Sequence, residues 1–161
     1  MPEIKNKIIF ILILLFSIFA LFAAYFIQYV LEHQPCNLCL IERIPYIFSI
    51  IIISIILFTK KFEKISLITL SLIFFSATLI ATYHFGIEQG FIDETSVCGT
   101  GNVDFITKDE ILKSLLEVNI SCKDVTFRIF SLSLTLYNIL LSILVFLISL
   151  KIYLINNDNK K

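Results

Sequence analysis

Four stretches of this chain, residues 8–31, 38–59, 65–87 and 129–150, are nearly free of charge and long enough to cross a bilayer. A spanning helix needs about 20 apolar residues at a rise of about 1.5 Å each. Inside hydrocarbon the backbone has to satisfy its own hydrogen bonds, which restricts single runs of this kind to helices. The expected fold class is therefore all-α: a polytopic membrane protein whose four transmembrane helices form two hairpins and one bundle. Composition agrees, with 58% of the 161 residues hydrophobic and only 16% charged, against about 25% charged in soluble domains. Net charge is zero, so the basic stripe of a nucleic-acid binder is missing and no nucleic-acid partner is expected.

The first run follows Lys5 and Lys7 and contains the small residues Ala20, Ala23 and Ala24, a pattern shared with cleaved signal peptides. It continues through Tyr25, Phe26, Ile27, Tyr29 and Val30, which is spanning length and not signal length. The second run carries Glu42 and Arg43 near its start, followed by Pro45.

Orientation follows from the lysines and arginines of short flanking segments. Lys5 and Lys7 precede the first run, Lys60, Lys61 and Lys64 join the second to the third, and Lys151, Lys160 and Lys161 follow the fourth. The opposite side holds Arg43, Lys108, Lys113, Lys123 and Arg128, diluted by most of the chain's acids. Both termini are expected in the cytoplasm, which puts residues 32–37 and 88–128 in two outer loops. The chain forms one domain, with no internal repeat or linker to divide it.

In the long outer loop, Thr107 followed by Glu110 makes a capping-box pattern. Ile111, Leu112, Leu115 and Val118 then form an apolar stripe. A short interfacial helix on the membrane surface is expected there, although a helix packed on its own loop fits the same stripe.

All four cysteines fall in or beside the outer loops: Cys36 and Cys39 as a Cys-x-x-Cys at the start of the second run, and Cys98 and Cys122 in the long loop. Outside the cytoplasm thiols can be oxidised and stay oxidised. A helix starting near Cys36 would place these thiols where unpaired backbone N–H groups favour thiolate, the reactive form. Arg43 lies one turn beyond Cys39, in a chain where eleven of the thirteen positive residues are lysine. Its planar donor fork suits a thiolate or a quinone oxygen; snorkelling to headgroups or pairing with Glu42 are the plainer uses. His84 and Glu88 are one turn apart near the outer end of the third run; a histidine there can hydrogen-bond a quinone carbonyl or move a proton, or it is an ordinary interfacial histidine.

Other uses of the cysteines are weaker. Haem attachment calls for histidine directly after the second cysteine, where Leu40 stands. A four-cysteine zinc site usually shows two close pairs, and Cys98 and Cys122 are far apart in the chain, so no metal is expected. Disulfides that only brace the loops remain an alternative.

The segment Pro35-Cys36-Asn37-Leu38-Cys39-Leu40-Ile41-Glu42-Arg43, then Tyr83-His84-Phe85-Gly86-Ile87-Glu88, then Cys122 followed by Phe127, Phe130, Leu132, Ser133, Tyr137 and Asn138, resembles the bacterial disulfide bond formation protein B family, DsbB. The resemblance covers nearly the whole chain. Ser131 departs from the glycine of many relatives and Glu88 from the glutamine of some.

The resemblance implies a membrane thiol:quinone oxidoreductase of the bacterial inner membrane, with its cysteine loops in the periplasm. It reoxidises a thioredoxin-like, DsbA-type dithiol donor and passes electrons to ubiquinone or menaquinone. Cys36, Cys39, Cys98 and Cys122 would be catalytic. The donor would attack a Cys98–Cys122 disulfide at Cys98, and Cys122 would then attack Cys36, leaving Cys39 as a thiolate. Arg43, His84 and Glu88 would hold the quinone. A vitamin K epoxide reductase-like enzyme is the nearest alternative, but in that family the loop pair precedes the Cys-x-x-Cys, and here it follows. A non-catalytic membrane protein with structural disulfides gives no reason for Arg43.

Overall fold

The computed structural model describes residues 2–59, 63–94, 98, 121–123, 128–129 and 132–158. The expected interfacial helix at Thr107–Val118 lies outside the described residues. The described elements are α1 (Pro2–Tyr29), α2 (Asn37–Ile41), α3 (Ile44–Thr59), α4 (Glu63–Glu88), β1 (Arg128–Ile129), β2 (Leu132–Ser133) and α5 (Leu134–Asp158). Four segments are long and apolar enough to cross a membrane: Lys7–Tyr29, Asn37–Thr59, Lys64–Glu88 and Leu134–Ile155. The chain is an all-helical, multi-pass membrane protein; among the described residues strand is confined to a short antiparallel ladder, with Arg128 opposite Ser133 and Ile129 opposite Leu132.

The closest helix pairing is α4 against α5, followed by α1 against α3 and α3 against α4. Phe10, Ile13, Tyr46, Ile53, Leu67, Leu70, Phe74 and Val145 form the core of the bundle, with Tyr46 meeting Phe16 and Phe74 edge-on. Ser17 and Ser49 are fully buried and share a 2.8 Å hydrogen bond between α1 and α3. Small hydroxyl residues let spanning helices approach and bond where apolar side chains gain little over lipid tails. The outward faces are the reverse of a soluble protein's, with Phe19, Phe22, Phe58, Leu72 and Leu144 exposed where lipid covers them.

The second span is two helices. Pro45 has no N–H to offer the Ile41 carbonyl one turn back, and its ring crowds that turn. The chain answers with a turn at Glu42–Arg43: Arg43 N–H reaches the Leu40 carbonyl at 3.2 Å, and the Arg43 carbonyl accepts from Tyr46 and Ile47. The last spanning helix also starts at Leu134, later than its apolar run at Ile129, because the paired strands β1 and β2 precede it.

Helix α4 ends in a Schellman motif. Gly90 takes φ +76°, a conformation open to glycine at little cost. Its N–H bonds the Ile87 carbonyl at 3.0 Å while Phe91 N–H bonds the Gly86 carbonyl at 2.9 Å, the paired closure of that cap. Gly86 leaves room for Ile92, which folds back over it: a Cβ there would lie 2.7 Å from Ile92 Cδ1. This cap turns the chain toward Glu94. The Glu94 carboxylate accepts from Lys123 N–H at 2.9 Å and from the Ser121 hydroxyl, tying the two ends of the long loop together beside Cys122.

Candidate functional site: two cysteine pairs above an apolar groove

Cys36 precedes α2 with extended backbone, φ −71° and ψ 167°, and acts as its N-cap, Sγ accepting from Cys39 N–H at 3.3 Å. An N-cap side chain of this kind satisfies a backbone donor that the first turn leaves open. The Cys-x-x-Cys spacing then brings Cys39 back over Cys36, with the sulfurs 2.8 Å apart as a dithiol. The Cys36 thiol is drawn down from its ordinary 9.0 to about 4, chiefly by the hydrogen bond from Cys39 and further by His84, against the opposing effect of burial.

Cys98 and Cys122 are joined as a disulfide with Cα atoms 5.6 Å apart. Both are buried, and they pack in one cluster with Cys36, Leu38 and Ile87, flanked by Cys39, Ile41 and Tyr83. The two cysteine pairs are thus in one apolar nest, although the second comes from a loop far along the chain.

His84 stands behind Cys36, its Nε2 3.5 Å from the sulfur and its Nδ1 2.7 Å from Glu42 Oε1. The other Glu42 oxygen accepts from Asn138 Nδ2 at 2.7 Å, and Asn138 Oδ1 accepts from the Tyr46 hydroxyl. A carboxylate at this depth would be costly without such partners. The result is a continuous polar chain from Tyr46 on α3, through α5 and the α2–α3 turn, to His84 on α4 and the Cys36 sulfur. Glu88, one turn beyond His84, accepts from the Thr135 hydroxyl and has its second oxygen buried with no partner among the described residues.

Arg43 faces another way. Nη1 donates to Gln28 Oε1 at 2.6 Å, and the guanidinium lies 4.9 Å from the centre of the Tyr25 ring, both on α1. With Cys39 it lines a groove of about 280 Å³ between α1, the α2–α3 turn and α5. Phe16, Phe19 and Leu141 line one part of that groove, and His33, Gln34, Cys39 and Arg43 another. Such a lining fits an amphiphile with an apolar tail and an oxygen-bearing head.

The seven residues singled out in the sequence therefore divide. Cys36, Cys39, Cys98 and Cys122 come together. Arg43 joins Cys39 at the groove, whereas His84 and Glu88 are on the Cys36 side, reaching the groove's wall only through Glu42 and Thr135. Glu42, Asn138, Tyr46, Thr135 and Gln28 were not assigned roles from sequence. The one signal for them was Glu42 itself, an acid within an apolar run that has to find a partner.

Among known proteins, the uncharacterized protein RP370 of Rickettsia prowazekii (strain Madrid E) is 29% identical over 139 residues, covering 84% of this chain and 81% of the relative. No solved structure matches. The family model described as disulfide bond formation protein DsbB matches residues 6–152, from the first spanning helix into the last and across both cysteine pairs. A match of that extent takes in all four cysteines and most of the chain: this chain belongs to the DsbB family, the disulfide oxidoreductases of the membrane.

Proposed function

We propose that this protein is a thiol:quinone oxidoreductase of the bacterial inner membrane that reoxidises a thioredoxin-like, DsbA-type donor on the periplasmic side. The observation that carries the reading is the joint placement of both cysteine pairs in one buried cluster, with Cys39 and Arg43 opening from it onto an apolar groove. The positive-inside count supports cytoplasmic termini, which leaves the cysteine loops in the periplasm. Thiol exchange from a DsbA-type donor through a DsbB-type membrane protein to quinone is the known route by which bacteria keep the periplasm oxidising.

The exchange runs by thiolate attack on sulfur. A donor thiolate attacks Cys98, forming a donor–Cys98 bond and releasing Cys122 as thiolate. Cys122 attacks Cys36 of an oxidised Cys36–Cys39 pair, forming a Cys36–Cys122 bond and releasing Cys39. The second donor thiol frees Cys98 and leaves the donor oxidised; Cys98 then recovers Cys122, releasing Cys36. Two electrons now reside on the Cys36–Cys39 dithiol. Cys98 is 1% exposed, so the first attack requires its sulfur to be uncovered.

A quinone held in the groove supplies a two-electron, two-proton acceptor. Arg43 would offer its remaining donors to a quinone oxygen, fixed by Gln28 and Tyr25. Cys39 presents its sulfur at the same groove. The His84–Glu42 pair holds the leaving side, with His84 Nε2 against Cys36. The apolar walls exclude water and soluble oxidants.

The test is anaerobic. Purified protein with added ubiquinone or menaquinone is mixed with a reduced thioredoxin-like donor, and quinone absorbance is followed in the parent chain and in single Cys→Ala variants. Quinone reduction that requires all four cysteines, with a donor adduct trapped on Cys98 in Cys122→Ala, is the expected result. Absence of reduction with every donor and quinone overturns the reading in favour of structural disulfides.

A further inference from the structure

The Cys36, Cys39 and His84 ligand atoms all lie within 4.8 Å of one another, and the three residues are buried or half-buried. Soft divalent ions take thiolate and imidazole in tetrahedral sites, and two cysteines with one histidine leave a fourth position open. The geometry points to a second use for this triad: in its dithiol form it is a site for a soft divalent metal ion, zinc or cadmium, which holds the pair reduced and blocks its return to the disulfide. Such a site shares with the proposed function only the premise that Cys36 and Cys39 exist as a dithiol; it needs neither donor nor quinone.

Three observations carry it. First, the separations are close to those of a coordinated ion. With bonds of about 2.3 Å to sulfur and about 2.0 Å to nitrogen, a tetrahedral site sets sulfur and nitrogen roughly 3.6 Å apart; Cys36 Sγ and His84 Nε2 are at 3.5 Å. The two sulfurs, at 2.8 Å, have to separate by about 1 Å to reach the tetrahedral spacing, which a rotation of the half-buried Cys39 side chain allows.

Second, the outer shell is already assembled. Metal-binding histidines nearly always give their other N–H to a carboxylate or carbonyl, which sets the tautomer and aims the ring. Glu42 Oε1 takes that place at 2.7 Å from Nδ1, and Asn138 holds the second Glu42 oxygen at 2.7 Å. With its proton on Nδ1, His84 keeps the Nε2 lone pair toward Cys36.

Third, the charges balance. Two thiolates and a dication sum to zero, which suits a site at the membrane edge where Cys36 is 6% and His84 2% exposed. Binding releases the thiol protons to solvent and changes no oxidation state. Cys39 lines the groove, which leaves the open fourth position on that side.

The experiment uses the full chain in detergent with Cys98→Ser and Cys122→Ser, so that Cys36 and Cys39 are its only thiols, reduced and freed of metal under anaerobic conditions. Cobalt titration is expected to give one ion per chain, with thiolate charge-transfer bands and the visible bands of tetrahedral cobalt, and none after oxidation of the pair. Glu42→Gln should weaken binding about ten- to hundredfold, the usual effect of losing an outer-shell partner, and His84→Gln should weaken it further. Zinc-edge absorption of the chain with His84 and Glu42 intact should show two sulfurs and an imidazole nitrogen, a readout that does not depend on how the His84 and Glu42 variants fold. Sulfur-only coordination, or cobalt affinity unchanged in His84→Gln, overturns the inference. Cobalt binding in this variant with no quinone turnover in the parent chain would sink the proposed function alone, and turnover in the parent chain with no cobalt binding in this variant would sink the metal site alone.

Discussion

His84 and Glu42 are 42 residues apart in the chain and 2.7 Å apart in space, Nδ1 to Oε1, bridging α4 to the break between α2 and α3. Their side chains are 2% and 11% exposed. A bonded pair at that depth is hard to disassemble from one side. Removing one partner of a buried pair typically costs about 3–5 kcal/mol, so Glu42→Ala is expected to lower stability by that order in denaturant or thermal unfolding in detergent. A loss within the range of surface substitutions, below about 0.5 kcal/mol, would mean that water reaches the pair.

Asn138 is bonded to both Glu42 and Tyr46. Asn138→Leu takes the Asn138 bond from Glu42 Oε2 and from the Tyr46 hydroxyl, at about 1–3 kcal/mol for each atom left unsatisfied. Tyr46→Phe removes a single hydroxyl and should cost clearly less. Equal losses in the two variants, measured in the same unfolding assay, would refute this order.

The depressed Cys36 thiol makes a pH prediction. Its native value is about 4 against an ordinary 9.0, so the reduced native state binds fewer protons than the unfolded chain between those limits. The resulting stabilisation is fully present above pH 9, declines as the pH falls, and is gone below about 4. Reactivity follows the thiolate. Iodoacetamide modification of Cys36 in the reduced chain, with chelator present and followed by peptide mass, should change little between pH 8 and 6. An ordinary thiol would slow by nearly a hundredfold over that interval, given a value of about 8.5, and such slowing is the contrary outcome.

Arg43 donates to Gln28 and lies over Tyr25, contacts that depend on a planar guanidinium. Arg43→Lys keeps the charge but loses that shape. Loss of one charge-assisted bond, about 1.5 kcal/mol, corresponds to roughly a tenfold rise in quinone KM with the stoichiometry of donor oxidation unchanged. A KM equal to that of the parent chain would remove Arg43 from the quinone site.

At the C-terminal end of α4, Gly86→Ala would press on Ile92, whose Cδ1 and Cγ1 lie 2.7 and 3.2 Å from the new Cβ. Overpacking of this kind typically costs about 1–3 kcal/mol. Adding Ile92→Ala should recover most of the loss, so the two changes together should be less harmful than their sum. Simple additivity would show that the cap has room after all.

The four spanning segments were legible because hydrocarbon demands long apolar runs, and the break after α2 was signalled by Pro45. The outer position proposed for the cysteines rests on where the lysines fall. What connects one span to another was hidden. Glu42 read as a neighbour for Arg43, but the α2–α3 turn directs them apart, one to His84 and Asn138 and the other to Gln28. The proposal that Arg43, His84 and Glu88 hold a quinone rests on the chemistry of each and on the family resemblance, neither of which tells their azimuth around the bundle: Arg43 lines the groove, while His84 bonds Glu42 and Glu88 bonds Thr135. Cysteine spacing could not show that His84, on another helix, lies beside the Cys36–Cys39 pair. The late start of α5 was hidden for a simpler reason: an apolar run reports affinity for lipid, and Ile129 and Leu132 of the paired strands read as part of that run.

The cap of α2 ties chemistry to shape. The sulfur that accepts the Cys39 N–H is the sulfur that enters and leaves bonds in the proposed relay. A thiolate is a strong acceptor and a disulfide sulfur a weak one, so each electron pair delivered to Cys36 tightens the first turn of α2, and each one withdrawn slackens it. Because α2 is a five-residue segment separated from α3 by the Glu42–Arg43 turn, that slack is confined to a short lever carrying Cys39 at the groove, while the long helices behind it stay still.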